Sequence, residues 1–319
     1  MQTPKVSIVI PSWNGKSLLA ECLDSLAGQA FTDSETIVVD DGSTDATAAM
    51  VAERFPGVGL VQFPENRGFC AAVNAGIQAA RGEYVFLLNN DMTLDAACLK
   101  KLIEAADATG AELLAPLIVW RDEPETIYAA GDCQHVNGRP ECIGFCQPIA
   151  DFAFREDVFG VCAGAGLYKR RVFDAIGLFD ERFNIYFSDS DISFRARLAG
   201  CRARFVRGAL ACHVGSASLG GNTLKRNIQC FQNHALLVAK NMPASLLFKH
   251  APAIWLEHIH QLRRVFSSAR CDCGAVRALS VLARACGGLL PLYGHALSQR
   301  AAIQRQRCLP VKDLERLLH

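Results

Sequence analysis

Length, composition and charge limit the class of protein. At 319 residues, half of them hydrophobic, the chain can bury the core of one large domain or two ordinary ones. Its net charge of +1 argues against a nucleic-acid partner. The charge is uneven, because residues 240–319 hold 12 Lys+Arg and 4 Asp+Glu, whereas residues 1–239 hold 21 and 28. We therefore predict a body over residues 1–240 and a basic extension over residues 241–319.

The cysteines and the apolar runs bear on location. The 14 cysteines lack CxxC or zinc-finger spacing, which is typical of reduced thiols. The first apolar run, residues 6–11, is too short for a signal peptide and has no basic flank. Residues 235–256 are the longest apolar stretch, but lysines and prolines interrupt them. These features predict a cytoplasmic protein without a membrane-spanning helix.

Strand and helix patterns alternate along the first 119 residues. Short β-branched runs predict strands at 5–11, 36–43, 59–66, 83–91 and 111–119. Apolar residues at helical spacing predict helices between them, at 17–29, 44–55, 69–82 and 94–110. This alternation predicts an α/β fold with a mostly parallel sheet, flanked by helices and joined by right-handed crossovers.

The remainder of the chain is less regular. Residues 120–160 contain scattered Gly, Pro and acidic residues and predict a meander that covers the sheet. The run "SDSDISFRAR" predicts a helix start, since acids favour the first turn and arginines follow. A strand pattern ends at His213, and from about residue 225 the pattern is helical.

Polar side chains follow four of the predicted strands. The clusters are Ser12-Trp13-Asn14, Asp40-Asp41-Gly42-Ser43, Asn66-Arg67-Gly68 and Asn89-Asn90-Asp91. Each cluster alone is typical of a turn. Because the carboxyl ends of parallel strands share one sheet edge, where ligands bind in open α/β folds, the four together favour a binding site.

Seven motifs occur in an order that resembles family 2 glycosyltransferases of the GT-A fold. They are "VSIVIPSWN", "IVVDDGSTDAT", "ENRGFCAAVNAGI", "FLLNND", "GAGLYKRRVFDAIGLFDERF", "YFSDSDISFRAR" and "CHVGSAS". The resemblance covers roughly residues 5–240. Within the family, the motifs resemble most specifically the bacterial branch of rhamnosyltransferase- and galactofuranosyltransferase-like enzymes. It implies a GT-A nucleotide-sugar-binding and catalytic domain over residues 1–240, with a helical C-terminal extension.

The resemblance implies a nucleotide-diphosphate sugar donor and the side chains that bind it. Asp41 is expected to accept a hydrogen bond from N3 of uracil or thymine, and Trp13 to offer its ring to the base. The full set implied for the donor is Pro11, Trp13, Asn14, Asp41, Asn66, Arg67, Asn74, Asn89, Asn90, Gly164 and Asp191. For Asn66, Arg67 and Asn74 the alternative is a turn or helix surface, and for Asp191 it is pairing with Arg195.

The resemblance also implies a Mn²⁺ or Mg²⁺ ion on the diphosphate. Family members usually carry a DxD-type motif where this chain has "NND", so Asn89 replaces the first acid and Asp91 remains. Asp91 and His213 are the expected metal ligands, although a lone His after a strand is more often structural. Asn89 is expected to contact the ribose, and Gly215–Gly221 to form a lid over the diphosphate.

"SDSD" matches the family pattern Glu-Asp-x-Asp, whose first Asp is the base. This match implies that Asp189 removes the proton from the acceptor hydroxyl and that the reaction inverts the anomeric configuration. The family Glu is Ser188 here, a departure that puts the acceptor contacts in doubt. The alternative for Asp189 and Asp191 is that both only stabilise the helix start.

The sequence leaves three hypotheses for the function and two for the role of the extension. The first function is an inverting, metal-dependent hexosyl- or deoxyhexosyltransferase acting on a glycan or lipid-linked glycan, and the second is a non-catalytic sugar-nucleotide-binding scaffold. A dehydrogenase or nucleotidyltransferase ranks last, because no GxGxxG follows the first strand. The extension, with Trp255 and Phe266 among its basic residues, fits either peripheral contact with an anionic membrane or packing in a homodimer.

Overall fold

A computed structural model describes residues 3–215 and 223–319. The strands are β1 (Val6–Ser12), β2 (Ser34–Asp40), β3 (Gly59–Gln62), β4 (Tyr84–Leu88), β5 (Met92–Leu94), β6 (Leu113–Trp120), β7 (Ile127–Ala129), β8 (Asp132–Gln134), β9 (Pro140–Cys142), β10 (Ala165–Lys169) and β11 (Ala203–His213). The helices are α1 (Lys16–Ala27), α2 (Thr47–Arg54), α3 (Phe69–Ala79), α4 (Cys98–Thr109), α5 (Arg171–Ile176), α6 (Ser188–Leu198), α7 (Thr223–Asn241), α8 (Ala244–Lys249), α9 (Ala251–Cys273), α10 (Ala275–Gly287), α11 (Leu289–Arg305) and α12 (Val311–Leu317).

The predicted α/β fold with a mostly parallel sheet is confirmed. The main sheet runs in the order β3-β2-β1-β4-β10-β6-β11-β5, and β7 pairs with β6. The pairs β1–β2, β2–β3, β1–β4 and β6–β11 are parallel. Strand β10 is antiparallel to both of its neighbours, β4 and β6, and β5 is antiparallel to β11. The carboxyl ends of β1, β2 and β4 therefore lie side by side at one edge.

Alternate residues of the central strands pack on opposite faces of the sheet. Val9 of β1 and Leu87 of β4 belong to one apolar cluster, with residues of α3. Ile8, Ile10 and Phe86 belong to the other, with residues of α1 and α4. Because helices cover both faces, β1 and β4 are buried along their whole length, as the continuous apolar runs of the sequence require.

The rest of the chain also follows the predicted pattern. Residues 120–160 form the short strands β7, β8 and β9 with turns between them, and the helix at "SDSD" is α6. The region after the main sheet is helical, with α7 crossing the predicted domain boundary at residue 240. One stretch, Ala275–Arg305, is long and apolar enough to cross a membrane by length and composition, and core helices of soluble proteins pass the same test. Arginines interrupt it, so the search of the sequence for an uninterrupted apolar run missed it.

A buried ion cluster joins α6 to the C-terminal helices. The Asp191 carboxylate, fully buried in α6, accepts hydrogen bonds from Arg195 Nε at 2.9 Å and Asn241 Nδ2 at 2.8 Å. Lys240 Nζ lies 3.0 Å from Asp191 Oδ1 and 2.6 Å from Asp180 Oδ2. The same Asp180 oxygen is 2.8 Å from His295 Nε2 of α11. The carboxylates of Asp180 and Asp191 thus pair with the cations of Arg195 and Lys240 in a largely buried cluster.

The charges of this cluster are mutually dependent. Burial acts to raise the pKa of Asp180, but the charge and hydrogen bond of Lys240 outweigh burial and lower that pKa to about 2. Burial likewise opposes ionisation of Asp191, and Arg195 and Lys240 reverse the effect, so its pKa is also lowered. Both acids therefore stay ionised in the folded protein as long as their cations remain.

We predict that Lys240→Met lowers the free energy of unfolding by about 3–5 kcal/mol, because it leaves buried carboxylate charge without its cation. Urea unfolding followed by tryptophan fluorescence measures this change. The control is Lys100→Met, which removes an exposed lysine 3.9 Å from Glu104. This control should lower the free energy of unfolding by less than about 1 kcal/mol. Equal stability losses for the two variants would contradict the dependence described above.

Candidate active site

A cleft opens where the predicted polar clusters meet. The strand ends of β1, β2, β4 and β11 form one side, and the segment that leads into α6 forms the other. Of the predicted residues, the cleft is lined by Pro11, Trp13, Asp41, Asn66, Asn89, Asn90, Asp91, Gly164, Asp189 and His213. Side chains brought together from more than 200 residues of sequence thus share one cavity, as the parallel sheet requires.

Asp41 and Trp13 occupy one end of this cleft. The buried Asp41 carboxylate accepts the backbone N–H of Arg67 at 2.7 Å and of Gly68 at 2.9 Å. Each oxygen keeps a further lone pair that a ligand donor can use. The Trp13 ring is 56 % exposed, an unusual cost for a large aromatic side chain unless a flat partner covers it.

Four residues predicted for the donor site do not line the cleft and instead support its walls: Asn14, Arg67, Asn74 and Asp191. Asn14 has φ 49° and accepts the backbone N–H of Thr44 at 2.8 Å, which joins the loop after β1 to the loop after β2. The Asn74 amide exchanges two hydrogen bonds of 2.9 Å with the backbone of Phe179. The Arg67 guanidinium stacks 4.6 Å from the Phe63 ring centroid. Asp191 is the fourth such residue, in the buried ion cluster, and its predicted pairing with Arg195 is confirmed.

The "NND" turn is fixed by two close approaches. The Asn89 backbone N–H donates to the carbonyl of Gly164 at 2.8 Å, across the β4–β10 pairing. A side chain at position 164 would meet Met92 Cε at 2.7 Å, so Met92 would have to move to admit one. The Asn90 amide donates to Ser12 Oγ at 2.9 Å. The turn therefore serves as a rigid frame that presents Asn89 and Asp91 to the cleft.

Asp91, on the turn that follows β4, and His213, at the end of β11, lie together in the same cleft. His213 Nε2 is 3.2 Å from Asp91 Oδ2, and Asp91 Oδ1 is buried without a hydrogen-bond partner in the part of the chain that is described. The Trp120 ring stacks on the His213 ring, with centroids 5.9 Å apart, and fixes its orientation. An oxygen and a nitrogen at this separation, with a free carboxylate oxygen beside them, fit two neighbouring ligands of one divalent cation.

These two side chains alone do not complete a metal site. Among the described residues, no group of three or more His, Cys, Asp or Glu side chains is placed to hold a metal ion. Mg²⁺ commonly takes one or two protein ligands and fills its other positions with substrate phosphates and water. The pair therefore fits a cation that arrives with, or is completed by, a diphosphate.

Asp189 lines the opposite side of the cleft, at the first turn of α6. Its Oδ1 accepts the backbone N–H of Ser190 at 2.9 Å. Burial raises the pKa of Asp189, and backbone hydrogen bonds from Ser190 and Ala163 oppose that rise. A carboxylate with a raised pKa binds a proton more readily, a property suited to a general base. The predicted lid, Gly215–Gly221, lies outside the described residues apart from Gly215.

A family model for "Glycosyl transferase family 2" matches residues 7–177, more than half of the chain. The chain belongs to glycosyl transferase family 2. Residues 7–177 contain the strands and turns that form the nucleotide side of the cleft, whereas Asp189 and His213 lie beyond the matched segment. The narrower branch predicted from the sequence remains a prediction.

Curated relatives resemble parts of this glycosyltransferase. It is 39% identical to succinoglycan biosynthesis protein ExoO of Rhizobium meliloti over 113 residues, which is 35% of this chain and 32% of that protein. It is 32% identical to the uncharacterized glycosyltransferase EpsJ of Bacillus subtilis over 196 residues, 60% of this chain and 53% of that protein. The chain therefore spans about a third to a half of these relatives.

Solved structures share the fold of this glycosyltransferase over nearly its whole length. Mannosyltransferase PcManGT from Pyrobaculum calidifontis, in complex with GDP-Man and Mn²⁺, has a TM-score of 0.57 at 19% identity and covers 96% of this chain and 86% of its own. Residues 1–349 of S. aureus TarS, in complex with UDP, give a TM-score of 0.52 at 16% identity over 94% and 89%. These likenesses confirm the GT-A-like fold.

The structure of this glycosyltransferase reveals two site residues that the sequence motifs did not indicate. Asp132, on β8, is buried with Oδ1 unpartnered in the part of the chain described, and burial and the Asp189 charge raise its pKa well above the ordinary value. Asp132 thus lies near the predicted base and ionises less readily than an exposed aspartate. Tyr128, also missed, lines the cleft and meets the His213 ring edge-on, with centroids 4.4 Å apart.

The sequence motifs also did not indicate a strained segment that precedes α6. Asn184, Tyr186 and Phe187 have left-handed φ angles of 56°, 63° and 63°, which side chains other than Asn and Gly rarely adopt. The buried Asn233 amide of α7 donates to the carbonyls of Phe183, Ile185 and Tyr186 at 2.9–3.0 Å. Because Asp189 follows this segment directly, Asn233 sets the position of the base from outside the sheet.

We predict that Asn233→Ala lowers kcat by about 10²-fold and changes the KM for the donor much less, because a small displacement of the predicted base is costly whereas Asp41 and the "NND" turn are held by backbone contacts of their own. Steady-state kinetics on the purified enzyme measure both constants. The control is Gln232→Ala, which removes a neighbouring amide that donates to the carbonyl of Ala285 at 3.0 Å. It should retain near wild-type kcat. A wild-type kcat for folded Asn233→Ala would rule out the positioning role.

Proposed function

We propose that this chain is an inverting glycosyltransferase that moves a sugar from a UDP- or dTDP-sugar to a hydroxyl of a glycan or lipid-linked glycan. The observation that carries the proposal is the placement of Asp189 in the same cleft as the Asp91–His213 pair and the strand-end polar groups. A displacement at a diphosphate-activated carbon requires a base and, in the same cavity, ligands for a divalent cation.

The donor occupies the sheet-edge side of the cleft in this proposal. Asp41 has free lone pairs for the N3–H of a pyrimidine, and the exposed Trp13 ring offers a face for the base. Asn66 and Asn89 line the same cleft. These contacts support a uracil or thymine nucleotide, and the sugar that it carries is set by side chains deeper in the cleft.

Asp91 and His213 are the residues that hold Mn²⁺ or Mg²⁺ together with the donor diphosphate. A divalent cation there stabilises negative charge on the leaving nucleoside diphosphate. The single carboxylate, with Asn89 in place of a second acid, favours assembly of the site only when the nucleotide is present. The solved PcManGT complex contains GDP-Man and Mn²⁺, which supports this assignment by analogy.

Asp189 accepts the proton of the attacking hydroxyl. As the acceptor oxygen forms its bond to the anomeric carbon, the bond from that carbon to the diphosphate oxygen breaks on the opposite face, so the configuration inverts without a covalent intermediate. The names of the relatives, which include biosynthesis of succinoglycan, support a role in building polysaccharides.

A non-catalytic sugar-nucleotide-binding scaffold is the second candidate, favoured by Asn89 and Ser188 where the resemblance expects acids. A scaffold would bind the donor and form no product. The two candidates therefore separate in an assay that monitors both nucleotide-sugar binding and release of the nucleoside diphosphate.

Replacing the base tests the catalytic assignment. We expect Asp189→Asn to bind the donor as the wild type does and to lose about 10²–10⁴-fold in turnover, the usual contribution of a positioned base. Release of nucleoside diphosphate measures turnover, and calorimetry measures donor binding. The matched control is Asp174→Asn, an exposed aspartate of α5, which should be fully active. Wild-type turnover for Asp189→Asn would remove it from the mechanism.

Removing the cation tests the other half of the site. Activity should disappear in EDTA and return with Mn²⁺ or Mg²⁺, and Asp91→Ala should weaken both donor binding and catalysis, since one cation serves both. Asp122→Ala, at an aspartate 82% exposed, is the control and should behave as the wild type. Full activity after exhaustive dialysis against EDTA is the result that excludes a metal-dependent reaction.

A further inference from the structure

The C-terminal helices expose an unusual amount of apolar surface. Among the described residues, eleven large apolar side chains are exposed, and nine of these lie between residues 248 and 297. They are Phe248, Trp255, Leu256, Ile259, Val276, Leu279, Leu290, Tyr293 and Leu297. An exposed apolar surface of this kind in an otherwise well-packed protein indicates an interaction site. Phe266, which the sequence placed in the same group, packs instead against the cluster formed by α7, α9 and α10.

The apolar residues of α10 and α11 form one stripe. Gly288 joins the two helices in an αR conformation, so the helical path continues from one into the other. Exposed residues then recur every three or four positions along the same side, which we call the outer stripe: Val276, Leu279, Ala283, Cys286, Gly287, Leu290, Gly294, Leu297 and Ala301. At 1.5 Å per residue, the stripe is about 38 Å long.

The opposite side of the same helices faces the protein. Ala278, Val281 and Ala285 of α10 are buried in a cluster with residues of α7 and α9. In α11, Ile303 is buried, and Arg300 donates to the carbonyl of Ala239 at 2.7 Å. Since the inner side is attached along its length, the two helices are placed to lie on a surface and not to cross a bilayer.

The charges beside the outer stripe have one sign. From residue 274 to residue 310 the sequence holds five arginines and no aspartate or glutamate. Arg277 and Arg284 are exposed on one flank of the stripe, and Arg305 is exposed at its end. Two copies of this face placed together would bring arginine against arginine with no acid in the segment to pair with. A surface that supplies its own negative charge would satisfy them.

We propose that the outer stripe docks the enzyme on an anionic lipid bilayer, with the leucines in the interface and the flanking arginines on lipid phosphates. This proposal is independent of glycosyl transfer, because it requires neither a donor nor a functional base. The ion cluster that contains His295 of α11 and Asp191 of α6 links the stripe-bearing helices to the helix of Asp189.

The test is co-sedimentation of the full-length protein with vesicles of phosphatidylcholine, alone or with about one third phosphatidylglycerol. The wild type should sediment with the anionic vesicles, and raising the salt from about 0.05 M to about 0.5 M should release it. Leu279→Asp with Leu290→Asp should weaken binding by at least about tenfold. Arg277→Gln with Arg284→Gln should weaken it several-fold, by up to about fivefold per arginine, and reduce the salt dependence.

The matched control carries the same two added charges elsewhere. Ala52→Asp with Ala108→Asp changes two exposed positions of α2 and α4 in the body, and this variant should bind as the wild type does. All variants change exposed side chains, so circular dichroism and thermal melting should show native folding. Equal losses for the stripe variant and the control, or a wild type that stays in the supernatant at low salt, would overturn the proposal. So would a dimer, measured by light scattering, that Leu279→Asp with Leu290→Asp converts to monomer, since the stripe would then be a self-association face.

Discussion

The buried ion cluster around Asp191 governs how the base helix is held. Asp191 is enclosed by Arg195 of its own helix and by Lys240 and Asn241 of α7, and Asp180 extends the cluster to His295 of α11. Such a group is stable only when every charge has its partner, because an unpaired buried charge costs several kcal/mol. Asp189, the proposed base, lies two residues from Asp191 on the same helix, so the helices outside the sheet help to determine its position.

The two sides of the cleft are therefore built by different means. On one side, strand ends in a rigid parallel sheet present Asp41 and Asp91, and close packing at Gly164 leaves the "NND" turn little freedom. On the other side, a segment with left-handed residues is held before α6 begins by the Asn233 amide and by Cys70 Sγ, which contacts the carbonyl of Asn184. If the proposed donor and acceptor sides are correct, this division would allow the acceptor contacts to vary while the donor geometry stays constant.

How far the sequence alone leads depends on the range of the interactions. Buried strands such as β1 and β4 are evident because both faces need apolar residues, and strand-end acids such as Asp91 then fall at one edge by topology. The antiparallel insertion of β10 depends on pairing with β4 and β6, about 50 to 80 residues away, which no local pattern encodes. The direction of a single buried polar side chain is equally hidden. Asn74 turns to Phe179 and not to the cleft, whereas Asn233 and Asp132, which no motif contains, support the base and lie near it.

The ion cluster also limits how this enzyme can be divided or recombined. Its members come from both sides of residue 240, so the basic helices are not an interchangeable module joined by a linker. A chimera that carried the C-terminal helices of another family member would retain the sheet and the nucleotide pocket but would present new side chains to Asp180 and Asp191. Substitutions on the inner sides of α7 and α11 must therefore arise in step with those in α6. Sequence change in one half of the molecule is in this way constrained by the other half.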